Sequence, residues 1–397
     1  MSRKKTVLTG LLLSGVLGTM GALPAHAEPD PVPPATERIS VTRDGQQLAG
    51  ASYDPAMGEG RVVAFTTEGA GGPNDTNVYV NAAGGISWVS SNMQGASYDG
   101  SPCYSGRMVG FVSPYTKPGS PGPDGAPGVY IRNRAVGKLT GIGHYQGIRF
   151  TWMGQPMVDP TCQWITYAAT LPATDADPHP RPRVYRFKFN GGDTALVSEP
   201  SGAAAGNPSI NYDGRYVAFE QGGDIYVRDM DTGTLEKATV ARHGHAADGR
   251  SSAPSISADG RRVAFDSYAS NLARGDRNRD VNVFVRDLDA GTTTMVNGVR
   301  KKDRTAQASL SGNGTHVAYT SAGKSGKGSA PAVYLLELAT GKTQLISVDR
   351  WGGRNDLPAR KPSVNADGTV VAFESASPDL VEGDTNGVSD VFLRTVQ

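Results

Sequence analysis

The sequence predicts an all-β fold, a seven-bladed β-propeller of four-stranded antiparallel blades, on two observations. A short strand of the form Val-Ala-Phe recurs seven times along the 397 residues, at a spacing of roughly 50 residues, the length of one blade. Around it, the clearest copies carry further β-branched strands joined by turns rich in Asp and Gly, the residues that reverse a chain between antiparallel neighbours.

The chain begins with a segment outside that pattern. Arg3, Lys4 and Lys5 form a basic start, residues 6–23 are apolar and small, and Ala25-His26-Ala27 fits a cleavage site, so residues 1–27 read as a secretory signal peptide. No cysteine lies near that junction for lipid attachment, and the pair Arg3-Lys4 lacks the second arginine of a twin-arginine signal. Of 39 Lys and Arg in the whole chain, loss of those three leaves 36 against 38 Asp and Glu, a formal charge of −2. A nearly neutral chain with no basic cluster cannot neutralise many phosphates, which excludes nucleic acid as the expected partner. Past residue 27 no stretch reaches the roughly 18 apolar residues of a membrane span.

Residues 28–37, EPDPVPPATE, read as a proline-rich linker, because proline cannot donate to a ladder. Residues 38–397 are then the propeller. Arg38-Ile39-Ser40-Val41-Thr42-Arg43 resembles the end of a blade, comparable with Leu345-Ile346-Ser347-Val348-Asp349-Arg350, yet it precedes the first copy. The last copy stops at its third strand, Asp390-Val391-Phe392-Leu393-Arg394. One surplus strand and one missing strand imply that the N-terminal strand completes the seventh blade, which removes the open edge of a linear array.

The seven copies of the second strand end at Phe65, Phe111, Tyr167, Phe219, Phe265, Tyr319 and Phe373. The fifth is the most regular. Ser255-Ile256-Ser257 is a strand, Asp259-Gly260 a tight turn, Arg262-Val263-Ala264-Phe265 the second strand, residues 281–286 the third, Asp289-Ala290-Gly291 a reversal and residues 292–296 the fourth. The reversal recurs as Asp231-Thr232-Gly233 and Ala339-Thr340-Gly341, so Gly341-Lys342-Thr343 is a turn and not the end of a phosphate-binding loop.

These units resemble the repeats of TolB-type β-propellers, whose pattern is a DG turn, a VAF strand, a (D/N)-(I/V)-(Y/F)-V strand and a D-x-x-T-G turn. The resemblance spans the mature chain and is strongest in copies four, five and seven. It implies an exported protein that binds a partner in the cell envelope, and it makes six blades the alternative count.

Loops between second and third strands carry the length variation. The glycine-rich residues 114–128 read as a flexible surface loop, and residues 171–183, with Pro172, Pro178, Pro180 and Pro182, as a stiff exposed one. Such loops share a face with the blade-to-blade connections and the channel mouth, the expected docking face for a protein or glycan. Cys103 and Cys162 fall near the first turns of copies two and three; an even count in an exported chain points to a disulfide, with two free thiols the alternative.

Acidic loops precede the third strand in copy five, with Asp276, Asn278 and Asp280, and in copy seven, with Asp384, Asn386 and Asp390; Asn74 to Asn77 is a shorter relative. Oxygen side chains at alternate positions on a turning backbone suit calcium. The competing reading is that they cap turns through side-chain to backbone bonds. His243 and His245 lie in a blade connection and, with His144 or His179, could hold a transition metal; otherwise they are scattered surface side chains. Trp152 and Trp351, with Tyr145, stand at blade junctions, either as a sugar or peptide platform or packed between sheets. No G-x-S-x-G elbow is present. The expected function is a monomeric, non-enzymatic binding scaffold outside the cytoplasm; the alternative is a metal-assisted polysaccharide lyase or hydrolase.

Overall fold

The Val-Ala-Phe segments fold as predicted because both faces of each blade are covered by neighbouring blades, so the second strand must be apolar on both sides. The computed structural model describes residues 35–396 apart from 70–71, 83–84, 92, 94, 115–127, 201, 277–278, 301–302 and 324–328. From the channel outward, blade 1 is Ser52–Met57, Val63–Gly69, Gly72–Ala82 and Gly85–Trp88, and blade 2 is Tyr98–Pro102, Met108–Ser113, Gly128–Asn133 and Lys138–Ile142. Blade 3 is Trp152–Val158, Trp164–Thr170, Arg183–Lys188 and Thr194–Leu196, and blade 4 is Ala205–Ile210, Tyr216–Gln221, Asp224–Asp229 and Leu235–Lys237. Blade 5 is Ser251–Ile256, Arg262–Ser267, Asn282–Asp287 and Thr292–Val296; blade 6 is Arg304–Leu310, His316–Ala322, Ala332–Glu337 and Thr343–Leu345. A small hairpin, His144–Tyr145 with Ile148–Arg149, sits between blades 2 and 3.

Blade 7 takes three strands from the C-terminus, Ala359–Val364, Val370–Ser375 and Asp390–Thr395, and its fourth from the N-terminus, Thr36–Arg38. The register is antiparallel, Thr36 opposite Arg394 and Arg38 opposite Phe392. This strand begins at Thr36, inside the segment expected to be linker, and ends where the strand was expected to start. The offset has a cause that repeats: Ile39 is buried, and the Ser40 hydroxyl accepts the Val391 N–H at 3.1 Å. Ser347, Thr239, Ser198 and Ser90 do the same for Val333, Ile225, Val184 and Val78. The Ile-Ser segment is the exit of the fourth strand, where a hydroxyl replaces the next ladder bond.

Each blade carries one aromatic pair directly across its second and third strands, from Phe65 with Tyr79 to Phe373 with Phe392, with ring centroids 5.7–6.1 Å apart. Such pairs add about 0.5–1.5 kcal/mol beyond area burial. The core is correspondingly divided among the blade interfaces. One apolar cluster occupies each of the seven junctions, and the one between blades 7 and 1 joins Ile39, Val391 and Leu393 to Val63 and Phe65.

Candidate binding site at the channel mouth

Every innermost strand contains the same irregularity. Its register with the second strand jumps in the middle of all seven blades, between Tyr53 and Ala56 in blade 1 and at the matching place in the rest. The inserted residues, Asp54, Asp99, Gln155, Asn207, Ala253, Gln307 and Lys361, all have left-handed backbone, φ between 46° and 59°. Non-glycine residues adopt this conformation at a cost, and bulges of this kind re-aim a side chain. Here they form a ring around the channel.

The bulges turn backbone N–H groups toward the preceding blade, which answers them. Glu374 accepts from Asp54 at 2.8 Å, Glu220 from Ala253 at 2.6 Å and Asp266 from Gln307 at 2.7 Å. The Gln155 and Gln307 side chains accept from the N–H groups of Asn207 and Lys361. Two residues further along, a belt of serines does likewise: Ser363, Ser101, Ser209, Ser255 and Ser309 accept from Met57, Val158, Ile256, Leu310 and Val364 at 2.9–3.1 Å. Blades 1 and 3 have Ala56 and Met157 at that position.

Above the serine belt the channel widens into a cavity of about 420 Å³ lined by the bulge residues and by Pro55, Pro156, Pro208, Pro254 and Pro362. The innermost strands start at this end, so the cavity opens on the face of the blade connections and the second-to-third-strand loops. Below the belt lies a smaller cavity of about 150 Å³. Tyr104 and Tyr212 line its far end, ring edge to ring face at 5.8 Å. Tyr104 reaches across from blade 2 to the first turn of blade 6: a Cβ on Gly312 would lie 2.5 Å from its hydroxyl. Burial pushes the Tyr104 phenol up to about 12.

The mouth is acidic. Lys361 Nζ lies 3.1 Å from Asp54 Oδ1. Burial, reinforced by Asp54 and opposed by Lys361, pushes the Asp99 carboxyl up to about 6. Asp266 also rises to about 6 through burial, against the pull of its two backbone hydrogen bonds from Gln307 and Ala308. Burial raises Glu374 in the same direction. No hydrogen-bond donor reaches Asp99 among the described residues.

No protein-family model matches the chain, and no curated protein matches it in sequence. Solved structures do. An oligogalacturonate lyase in complex with manganese superposes with a TM-score of 0.58 at 14% identity, covering 91% of this chain and 93% of that one. The β-propeller domain of the Trilobed protease from Pyrococcus furiosus gives 0.57 at 10% identity, covering 87% and 95%. TolB from Acinetobacter baumannii gives 0.46 at 16% identity over 76% of this chain and 66% of that one. The likeness is one of fold. At these identities it assigns a β-propeller and no activity.

The residues singled out from the sequence fall elsewhere than the mouth. Cys103 and Cys162 are joined in a disulfide that ties the first turns of blades 2 and 3, next to Tyr104. Asp384 and Asp390 are buried in the blade 7 loop and face the N-terminal segment. Gln47 Nε2 donates to both at 2.8 Å, Ser40 Oγ donates to Asp390 at 2.5 Å, and Asn386 Nδ2 donates to Asp390 at 3.2 Å. Arg38 pairs with Asp384 at 3.6 Å. Donors thus reach both Asp390 oxygens and Oδ1 of Asp384, while Asp384 Oδ2 is buried with no hydrogen bond among the described residues, and the loop latches the closing strand. In blade 5 Asp276 is buried beside Asn282, Asp280 is half-buried with its carbonyl accepting from Asn282 Nδ2 at 3.2 Å, and Asn278 lies outside the described residues. Among the described residues no group of three or more His, Cys, Asp or Glu stands close enough to hold a metal.

His243 and His245 are exposed at the blade 4 to blade 5 connection, His243 at φ 63°; His144 lies in the small hairpin and His179 in the exposed blade 3 loop. Trp351 is 68% exposed with Arg350 stacked on it at 4.5 Å, and Trp152 is 36% exposed at the start of blade 3. Tyr145 instead packs against Tyr185, centroids 5.2 Å apart. The glycine-rich loop lies outside the described residues except at its ends. The bulge ring escaped sequence reasoning, although its trace is present: Asp-Pro-Ala, Gln-Pro-Met, Asn-Pro-Ser, Ala-Pro-Ser and Lys-Pro-Ser stand at matching places before the Val-Ala-Phe strands.

Proposed function

We propose that the protein is an exported, monomeric, non-enzymatic binding scaffold whose protein or glycan partner docks on the loop-rich face and reaches into the channel mouth. The observation that carries this reading is the mouth itself: a cavity of about 420 Å³ walled by seven side chains held on rigid, bulged strands. Such a scaffold presents a fixed chemical pattern with little ordering cost on binding. The disulfide and the signal-like residues 1–27 support an oxidising location outside the cytoplasm. Among the described residues no helix is long and apolar enough to cross a membrane. The metal-assisted polysaccharide reading has only the shared fold in its favour; its histidines stand on three separate surface elements, and an acidic mouth repels a polyuronate.

The test places a photocrosslinking side chain at Asn207, in the mouth, and a control at exposed Trp88 on the outer edge of blade 1. Crosslinking of one envelope component from position 207 alone is the expected result. Equal crosslinking from both positions, or none from 207, would remove the mouth as the docking site. Turnover of oligogalacturonate with added manganese would replace the scaffold reading by the enzyme one.

A further inference from the structure

We propose that the channel mouth takes a protonated primary amine on a flexible aliphatic chain, seated on the Asp99 carboxylate. The inference rests on the mouth being the binding site and names the chemistry it accepts.

The acids of the mouth separate by what answers them. Glu220, Asp266 and Glu374 accept backbone N–H groups from the bulge of the next blade, so they belong to the scaffold. Asp54 holds Lys361. Asp99 occupies in blade 2 the position that Asp54 occupies in blade 1, yet no donor among the described residues reaches it. Asp99 is half-buried on the wall of the cavity, so its carboxylate stays open to a ligand that enters the mouth, and a charged donor set there would form a bond that no side chain of the ring forms with it.

The structure already contains the matching interaction. Lys361 crosses from blade 7 to set a primary ammonium 3.1 Å from Asp54, within the same ring of bulges. A second ammonium entering from the open end would do for Asp99 what Lys361 does for Asp54. The collar alternates its polar bulges with Pro55, Pro156, Pro208 and the half-exposed Met157, an apolar wall for a methylene chain whose head stays charged. An anionic ligand would meet net negative charge.

The same ammonium could come from a free diamine or from a lysine of a partner protein. Calorimetry on residues 28–397 at pH 7.5 separates the two with three probes: 1,5-diaminopentane, a short peptide with one central lysine, and that peptide acetylated on Nε. Saturable binding of the diamine or the lysine peptide, and none of the acetylated form, is expected. Loss of a charge-assisted hydrogen bond predicts that Asp99→Asn weakens binding about tenfold or more. Lys361→Met leaves Asp54 unanswered and should tighten it. Binding should also weaken between pH 7.5 and pH 5 as Asp99 takes up a proton, its field set by Asp54, Lys361, Tyr53 and Tyr98. Equal affinity in the wild type and in Asp99→Asn, or no binding of either amine, would overturn the proposal. A partner that crosslinks from position 207 without amine binding would sink this inference and leave the scaffold reading intact. Amine binding without any crosslinked partner would do the reverse.

Discussion

Moving a carboxylate from water into a partly dry channel favours its neutral form, and Asp99 and Asp266 both show the effect at about 6. Equal shifts conceal opposite roles. For each, the folded state holds a proton more tightly than the unfolded chain, so the stabilising contribution is full below about pH 4 and is lost as pH rises through 6. At pH 7.5 an Asn at position 99 removes that penalty and leaves no bond broken. Asp99→Asn should therefore raise the melting temperature at pH 7.5 and change it little at pH 4, a stabilisation on the order of 2 kcal/mol at most. Asp266→Asn should behave differently, because Asp266 takes the N–H groups of Gln307 and Ala308 on its two oxygens. An amide offers one acceptor and sets its NH₂ against the other donor, at a cost of roughly 1–3 kcal/mol at pH 7.5. Thermal unfolding of the two variants at both pH values checks the pair; destabilisation by Asp99→Asn would show that its carboxylate is already answered.

The innermost strands carry the argument from blade to blade. The bulged stretches expose N–H groups that the preceding blade accepts, by a serine of the belt, a second-strand acid or the glutamine of the bulge before, so sheet irregularity and blade-to-blade bonding are one feature. Ser255→Ala removes the acceptor of the Leu310 N–H and should cost roughly 1–3 kcal/mol, since the donor stays buried. Replacing Ala56 by serine should be far milder, and urea midpoints of the two variants read the difference. The strands were legible in the sequence because Val-Ala-Phe is apolar on both faces and the Asp-Gly turns punctuate it. The bulge ring was not, because proline usually holds its predecessor in extended backbone, and nothing in Asn207-Pro208 or Ala253-Pro254 announces a left-handed residue. The acidic loops were legible as capping or calcium-binding segments without a way to choose. Their partners Gln47, Ser40 and Arg38 lie more than 300 residues away in the chain. In blade 7 those donors occupy both oxygens of Asp390 and Oδ1 of Asp384, so chelator should leave the melting temperature unchanged; a rise on adding back calcium would make the loop, with the unanswered Oδ2 of Asp384, a metal site.

Ring closure decides how the molecule unfolds. All seven interfaces carry similar apolar clusters, so a linear array of the same blades would end in two half-covered sheets and melt from them. Closure depends on three ladder residues, Thr36–Arg38, the buried Ile39 and the latch of Gln47 and Ser40 on Asp390. Asp390 is fully buried, so Asp390→Ala leaves the Ser40 hydroxyl without its acceptor and Gln47 with Asp384 alone, and should cost about 2–4 kcal/mol while keeping one transition. Deleting residues 28–46 goes further. It strips the outer strand from Asp390–Thr395, uncovers the cluster around Val391 and Leu393, and exposes an unpaired edge. The deleted protein should lose its single cooperative transition, with a broad, early unfolding curve in urea and association at high concentration. The disulfide supplies the contrast. Cys103 and Cys162 close a loop of 59 residues between blades that already touch, so Cys103→Ser with Cys162→Ser should lower stability by about 4 kcal/mol. That loss leaves the ring closed and the transition sharp. If the deletion unfolds as sharply and as late as the parent, the N-terminal strand does not hold the ring together; if it broadens while the cysteine variant stays sharp, closure and not local cross-linking sets the cooperativity.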